Sequence, residues 1–237
     1  MTDKPLVDVV HMGLTPFKQV WDYQQQLQDD LIAQKMARRS GITTPPPVHR
    51  LIMCEHPPVY TLGKSGSPDN LLVAATELEN KGIEFFKINR GGDITYHGPG
   101  QLVMYPIFDL EYFFTDIHKF LRYLEEAVIQ TLSHFGIASG RFEGYTGVWI
   151  EPEHPTRARK ICAMGIRCSR WVTMHGIALN VNTDLSPFDL IVPCGIKDKD
   201  VTSMMRECQQ AIELLEVENV LRKEMARIFE FSYAKPH

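Results

Sequence analysis

The sequence predicts an α/β protein in which helices flank a mixed β-sheet. Apolar strand patterns occupy the middle of the chain, amphipathic helical patterns lie between and around them, and no repeat or Gly/Ser linker divides the sequence. The length of 237 residues fits one large α/β domain as well as two small ones. Without a linker, we expect a single domain over 1–237, with a core at about 45–205 and helical elements towards both ends.

The N-terminal part predicts a strand followed by a long helix. Residues 6–12 are a short apolar stretch, and Thr15-Pro16 then supplies a helix N-cap and the proline favoured in a first turn. The run 17–39 is amphipathic, and its predicted buried face consists of Val20, Tyr23, Leu27, Leu31 and Ile32. Beyond a proline-rich connector we predict strands at 49–54, 59–62, 84–89 and 101–110, with a short helix at 76–80.

The second half continues this alternation. Asp116 can cap a helix that stops at Gly136, and its apolar stripe consists of Ile117, Phe120, Leu121, Leu124, Val128, Leu132 and Phe135. Strands are predicted at 147–150, 160–168 and 171–182, the last two forming a hairpin through 169–170. A C-terminal helix is predicted over 207–231, with Ile212, Leu215, Val220, Leu221 and Ile228 facing inward.

Composition and charge narrow the classes of function. The net charge of -4 and a pI near 6.1 give no overall basic field, which disfavours general nucleic-acid binding. No run approaches the ~18 apolar residues of a membrane-spanning helix, and no leader pattern precedes the first strand. We therefore expect a cytoplasmic protein that does not act on nucleic acid or in a membrane.

Five cysteines stand at 54, 162, 168, 194 and 208, an odd number without a CxxC pair. In a chain of this length they are expected to be reduced, and most to be small buried hydrophobic residues. Neither Cys54-Glu55-His56 nor the Cys162 and Cys168 pair has the ligand spacing of a structural zinc site. No metal and no cofactor are expected.

The densest glycine cluster is NRGGDITYHGPGQ at 89–101. It contains no GxGxxG pattern and reads as two turns around a short extended segment. Gly63-Lys64-Ser65 imitates the end of a phosphate-binding loop, but Pro58 stands where that motif requires its first glycine. A backbone this rich in glycine must approach something closely. Of a phosphate, a metal and an extended apolar substrate, the motif spacing disfavours the first and the ligand spacing disfavours the second.

Two residues suggest nucleophilic chemistry. Cys194 follows Pro193 and precedes Gly195, which leaves its sulfur uncovered. A thiol needs a nearby cation or base to react as thiolate at neutral pH. Lys160 begins the apolar run KICAMGI, where a charge is unexpected unless exposed or functional. On residue type alone, a structural role for each is favoured over a catalytic one.

Three stretches taken together change that balance. They are RGGDITYHGPGQLVMYPIFDL at 90–110, KICAMGIRCSRWVTMHGIALNVN at 160–182 and DLSPFDLIVPCG at 184–195. In this order they closely resemble the lipoyl(octanoyl) transferases, whose single α/β domain is related to the biotin and lipoate protein ligases. The resemblance implies octanoyl transfer, without ATP, from octanoyl-acyl carrier protein to a lysine of lipoyl domains. Acceptors could be lipoyl domains of dehydrogenase complexes, the glycine-cleavage carrier protein, or both.

The same resemblance implies the site. Cys194 matches the nucleophile that carries the acyl group as a thioester, and Lys160 matches its partner. The residues expected to contact substrate are Arg90, Gly91, Gly92, Asp93, Ile94, Thr95, Tyr96, His97, Ala163, Met164, Gly165, Gly176, Ile177 and Ala178. Arg90 could equally have a structural role, paired with a core carboxylate. The polar insert at 151–159 departs from a minimal hairpin turn, and we expect a solvated tip there in preference to a partner contact.

Overall fold

The computed structural model describes residues 4–192 and 200–234. Its helices are α1 (Phe17–Arg39), α2 (Ala75–Asn80), α3 (Ile117–His134), α4 (Met204–Cys208) and α5 (Leu214–Phe229). Its strands are β1 (Leu6–Leu14), β2 (His49–Glu55), β3 (Val59–Leu62), β4 (Glu84–Lys87), β5 (Ile94–His97), β6 (Gln101–Ile107), β7 (Gly140–Phe142), β8 (Tyr145–Ile150), β9 (Arg159–Ser169), β10 (Val172–Asn180), β11 (Asp200–Val201) and β12 (Ser232–Tyr233). Within these ranges, none of the helices combines the length and the apolar character that crossing a membrane requires.

The larger sheet has the strand order β12-β1-β2-β6-β10-β9-β8-β7. It is mixed: β1 runs parallel to β2 and β12, whereas the pairs from β2 to β7 along this order are antiparallel. β11 pairs in parallel with the start of β9, on the side that β10 leaves free there. The smaller sheet, β4-β3-β5, carries the glycine-rich segment. The predicted mixed α/β fold is confirmed.

Helices cover both faces of the larger sheet. Because side chains alternate along a strand, Leu51 and Met53 of β2 enter a core beneath α3 and α5, while Ile52 and Cys54 pack on the side covered by α1. α3 follows its predicted cap, since Asp116 Oδ1 accepts a hydrogen bond from Lys119 N at 2.9 Å. The result is a three-layer domain in which the sheet separates two apolar clusters.

The helix α1 has the predicted bounds but a more polar buried face than its pattern indicates. Gln24, Gln28 and Lys35 are buried, whereas Tyr23 and Leu27 are only half-buried. Gln28 Nε2 donates to the carbonyl of Val172 at 2.8 Å, so the helix is fixed to the sheet through hydrogen bonds as well as apolar contact. Apolar periodicity cannot reveal such residues.

The C-terminal prediction is wrong in one respect. The expected helix at 207–231 is two helices, because α4 ends at Gln209 in the left-handed conformation (φ 56°) and α5 begins only at Leu214. Leu215, expected to face inward, is 58% exposed. The buried face of α5 instead carries Val217, Leu221, Met225 and Phe229, while Val220 and Ile228 are half-buried.

Candidate active site

A cavity of about 500 Å³ lies between the glycine-rich segment and strands β9 and β10. Lys160 lines it, together with thirteen of the fourteen residues expected to contact substrate. These are Arg90, Gly91, Gly92, Asp93, Ile94, Thr95, His97, Ala163, Met164, Gly165, Gly176, Ile177 and Ala178. Three stretches separated in sequence therefore meet around one space.

Tyr96 is the exception, since it does not line the cavity. Its ring packs in a separate apolar cluster, with its centroid 5.5 Å from that of Tyr60 and 5.5 Å from that of Phe188. Thr95 and His97 lie on the other face of β5, while Ile94, on the same face as Tyr96, both packs in that cluster and lines the cavity. The expected place of Tyr96 in the cavity wall is corrected accordingly.

The glycines allow one segment of backbone to lie directly against another. Gly91 N donates to the carbonyl of Ile166 on β9 at 2.9 Å, and Gly92 has a φ of 88°. A Cβ on Gly165 would lie 2.6 Å from the carbonyl oxygen of Gly91, closer than real contacts allow. What the glycine-rich backbone approaches is thus, in part, the protein's own strand β9.

Arg90 holds this loop in place. Its guanidinium donates to the carbonyls of Thr61 at 2.8 Å, Asp93 at 2.7 Å and Gly91 at 3.0 Å, and to Thr61 Oγ1 at 3.0 Å. These contacts give Arg90 a structural role, through main-chain carbonyls and a hydroxyl where the sequence had suggested a carboxylate. Because Arg90 also lines the cavity, substrate contact stays a prediction.

A chain of hydrogen bonds fixes the orientation of His97. Asn180 Nδ2 donates to the carbonyl of Thr202 at 3.0 Å, so Asn180 Oδ1 accepts from Gln101 Nε2 at 2.9 Å. Gln101 Oε1 must then accept from His97 Nδ1, 2.8 Å away. The proton of the neutral ring accordingly sits on Nδ1, and Nε2 keeps its lone pair.

Three buried histidines in this region are uncharged at neutral pH. Burial above all, together with the neighbouring His56, Arg90 and His175, lowers the pKa of His97 to about 3, although the hydrogen bond to Gln101 opposes the shift. Burial also lowers the pKa of His56 to about 4 and of His175 to about 3. This part of the cavity region therefore presents neutral hydrogen-bonding groups within an apolar wall.

Lys160 lies on the opposite wall, near the start of β9. Its Nζ is 4.8 Å from the centroid of the Trp149 ring on β8, within the range of a cation–π contact. A Cβ on Gly147, the β8 residue beside Lys160, would lie 2.6 Å from the carbonyl oxygen of Cys162, so the glycine lets β8 approach the β9 main chain here. An amine at the edge of an apolar cavity can exchange protons with a reacting group placed there.

Cys194 lies in 193–199, outside the described residues. The residues on either side of that stretch border the site: Phe188 and Val201 line the cavity, and Val201 is paired with Lys160 across β11 and β9. Val192 N donates to the carbonyl of Asn70 at 2.8 Å.

None of the four described cysteines, Cys54, Cys162, Cys168 and Cys208, lines the cavity. Cys54 and Cys162 are buried, and burial raises the pKa of both thiols well above its usual range. Burial likewise raises the pKa of half-buried Cys168. Throughout 4–192 and 200–234, no group of three or more His, Cys, Asp or Glu residues is arranged to hold a metal ion.

Sequence reasoning missed the lining residues from distant elements. They come from the start of α1, from α3 and from β8, namely Phe17, Ile117, Leu121 and Tyr145. Nothing in their local sequence marks them. Gln101 and Asn180, by contrast, lie inside the motifs at 90–110 and 160–182. They stand a few residues from His97 and from Gly176-Ile177, and this closeness in sequence could have identified them as site residues.

Comparison with known proteins gives a consistent result. The family model for the lipoyl protein ligase A/B catalytic domain matches residues 19–226. An octanoyltransferase of Cytophaga hutchinsonii is 54% identical over 94% of this chain and 92% of its own length. An octanoyltransferase of Christiangramia forsetii is 55% identical over 94% of this chain and 96% of its own.

Among solved structures, a bipartite lipoate protein ligase from Thermoplasma acidophilum has a similar fold. The TM-score is 0.69 with 16% sequence identity, over 99% of this chain and 87% of that one. At this sequence identity, the similarity shows a shared fold and nothing about activity.

Proposed function

The chain belongs to the octanoyltransferases of the lipoyl protein ligase A/B family, and from this premise we propose that it is an acyltransferase. It moves an octanoyl group from octanoyl-acyl carrier protein to the lysine amine of a lipoyl domain, through a thioester on Cys194. One observation carries the proposal: Lys160 opens onto a cavity whose walls gather nearly all residues expected to contact the substrate.

The cavity suits a hydrocarbon chain. Apolar side chains such as Ile88, Ile94, Met164 and Ile177 contribute to its wall, and the histidine nearest to them is uncharged. Burying each methylene of an acyl chain in such surroundings contributes about 0.8 kcal/mol. The volume of about 500 Å³ is in the range of small-molecule sites and leaves space for the end of a carrier arm.

In the first half-reaction, the Cys194 thiolate attacks the thioester carbonyl of the donor. A new carbon–sulfur bond forms to Cys194, the bond to the carrier sulfur breaks, and the carrier leaves as a thiol after gaining a proton. Thioester is exchanged for thioester, so the step is nearly balanced in free energy and needs no nucleotide. Lys160 is the group proposed to accept the proton of Cys194 and return it to the carrier sulfur.

In the second half-reaction, the acceptor lysine attacks the acyl group on Cys194. An amide bond forms, the Cys194–acyl bond breaks, and the proton shed by the amine returns to the sulfur through Lys160. Conversion of a thioester to an amide is downhill, which drives the overall transfer. A serine in place of Cys194 would form a less reactive ester and slow this half.

The test is transfer to a purified lipoyl domain. The protein, octanoyl-acyl carrier protein and an unmodified lipoyl domain are incubated without nucleotide, and the mass of the acceptor is measured. We expect an octanoyl amide on the target lysine, and none when that lysine is replaced by arginine. Modification that appears only with free octanoate and ATP would contradict the proposal and indicate a ligase.

The same assay compares acceptors. A lipoyl domain of a dehydrogenase complex and the glycine-cleavage carrier protein are offered separately and then in competition. Modification of at least one is expected. Failure of both, with an intact donor and a folded protein, would also count against the proposal.

A further inference from the structure

A bidentate ion pair joins the start of β9 to helix α4. Arg159 Nε donates to Glu207 Oε1 at 2.7 Å, and Arg159 Nη2 donates to Glu207 Oε2 at 2.5 Å. The side chains are 24% and 15% exposed, so the pair is largely shielded from water. Although burial opposes it, Arg159 holds the pKa of Glu207 below its usual range. Bidentate pairs of this kind fix geometry more firmly than single ionic contacts.

Thr202 extends this pair to the strand that carries Lys160. Its Oγ1 donates to Glu207 Oε1 at 2.5 Å, while its main-chain N donates to the carbonyl of Lys160 at 2.9 Å. Its own carbonyl accepts from Asn180 Nδ2 at 3.0 Å. Thr202 is fully buried and therefore connects α4, β9 and β10 at one point.

A second carboxylate partner of Arg159 comes from the polar insert. Glu151 Oε2 accepts from Arg159 Nη1 at 2.5 Å, and Glu151 Oε1 is paired with Arg157 at 2.8 Å. The insert thus anchors its base at Arg159, while Glu153, His154 and Arg157 are exposed. Arg157 and Arg159 share the same glutamate, but only Arg159 contacts Glu207.

We propose that Arg159, Thr202 and Glu207 form a clamp that positions Lys160 on the cavity wall. The clamp fixes β9 against β11 one residue from Lys160, at the point where Val201 and Lys160 are paired. Its members act through the lysine and are positioning residues. This inference rests on the proposed function, because the position of Lys160 matters only if Lys160 takes part in transfer.

The expected effect is on turnover rather than on substrate affinity. Misplacement of a reacting group by about 1 Å can cost 100-fold in rate. We expect Arg159→Gln and Glu207→Gln to lower kcat for octanoyl transfer about 10- to 100-fold, with KM for the carrier changed less than about threefold. Arg159→Lys keeps the positive charge but loses the bidentate geometry of the guanidinium, so its kcat should lie between those of these variants and that of the wild type.

The matched control is Arg157→Gln. It removes a cation of the same insert and a contact to the same Glu151, yet leaves the clamp intact. Turnover should change less than about twofold. Equal losses in Arg157→Gln and Arg159→Gln would contradict the clamp, and so would wild-type kcat in folded Arg159→Gln and Glu207→Gln. If Arg159→Gln does not fold, the clamp is tested by the kcat of Arg159→Lys and Thr202→Val.

A double-mutant cycle separates positioning from general damage. In a Lys160→Ala background, transfer is slow but measurable as acyl product in extended incubations. If the clamp acts through the lysine, adding Arg159→Gln should lower this residual rate less than about twofold. A further 10-fold loss would overturn the inference. A wild-type protein without octanoyltransferase activity would refute the proposed function itself. An active wild type, with clamp variants whose kcat equals that of the wild type, would refute only the clamp.

Discussion

The two walls of the cavity are held by different means. The loop wall, 90–97, rests on main-chain contacts: Gly91 N bonds to β9, Gly165 admits the loop, and Arg90 donates to main-chain carbonyls. The lysine wall, where Lys160 and Val201 line the cavity and Trp149 packs against Lys160, is held by charged side chains from α4 and the insert. The close main-chain contact between Gly91 and Gly165 requires glycine, whereas an ion pair requires only two opposite charges within contact distance.

This difference predicts how each wall fails. The loop wall tolerates little added volume and is backed by buried neutral histidines. The lysine wall depends on charge, because an ion pair holds it.

Acidification should affect the loop wall first and most. Burial lowers the pKa of His56 to about 4, and of His97 and His175 to about 3. The unfolded chain takes up these protons near pH 6.5, so stability is full above that pH and falls as the pH drops towards the folded values. Between pH 7 and pH 5 each histidine should remove about 2 kcal/mol of unfolding free energy.

Urea unfolding at pH 7, 6 and 5 measures this loss. His97→Gln should lessen the loss of unfolding free energy between pH 7 and pH 5 by about 2 kcal/mol, the contribution of one histidine. A stability that is flat over this range would show that the three rings are not held neutral.

Replacing the lysine of the lysine wall should abolish most of the activity without unfolding the protein. We expect Lys160→Ala to slow transfer at least about 100-fold, as loss of a proton-transfer group does. Stability should change by less than about 1 kcal/mol, because the side chain is half-buried at a cavity edge. Quenched-flow measurement of acyl transfer, with thermal unfolding alongside, tests both expectations. Wild-type turnover in this variant would remove the role assigned to Lys160.

Added volume should damage the loop wall at Gly165. A methyl group there would lie 2.6 Å from the carbonyl oxygen of Gly91, and main chain cannot move aside cheaply. We expect Gly165→Ala to cost about 3 kcal/mol of stability. In Gly91→Ala the nearest atom is the Ile166 oxygen at 3.4 Å, so its cost should stay below about 1 kcal/mol. Equal unfolding free energies for the two variants would contradict the described contact.

The smallest effect is expected from weakening the contact between Lys160 and Trp149. Phenylalanine keeps an apolar ring but attracts a cation less strongly, by about 1 kcal/mol. Trp149→Phe should therefore slow transfer about fivefold. Trp171→Phe, at the exposed turn at the other end of β9, should not slow it. Single-turnover rates equal to wild type in Trp149→Phe would exclude a positioning role for the ring.

The sequence predicted most elements of the fold because their signals are local. The bounds of α1, the cap at Asp116 and the hairpin of β9 and β10 follow from capping, apolar period and turn position. The break between α4 and α5 did not, since left-handed Gln209 carries no glycine signal. Two-residue strands such as β11 are too short to leave a pattern.

The same contrast applies to the site. The loop wall could be predicted because close contact between two main-chain segments requires glycines, and these are visible in the sequence. The clamp was not, since Arg159 and Glu207 are 48 positions apart and each resembles an ordinary surface charge. Lys160 stood out only as a charge in an apolar strand, and its role came from the resemblance of the surrounding motif. The buried Gln24, Gln28 and Lys35 were invisible for the same reason as the clamp.

The thioester on Cys194 is tested most directly by trapping it. The protein is mixed with octanoyl-acyl carrier protein alone, without acceptor or nucleotide, then acid-quenched and examined by intact mass and peptide mapping. One octanoyl group is expected on Cys194, removable by hydroxylamine, absent in Cys194→Ala and discharged when a lipoyl domain is added. No adduct on the wild type, or an undiminished adduct in Cys194→Ala, would contradict acyl transfer through this cysteine.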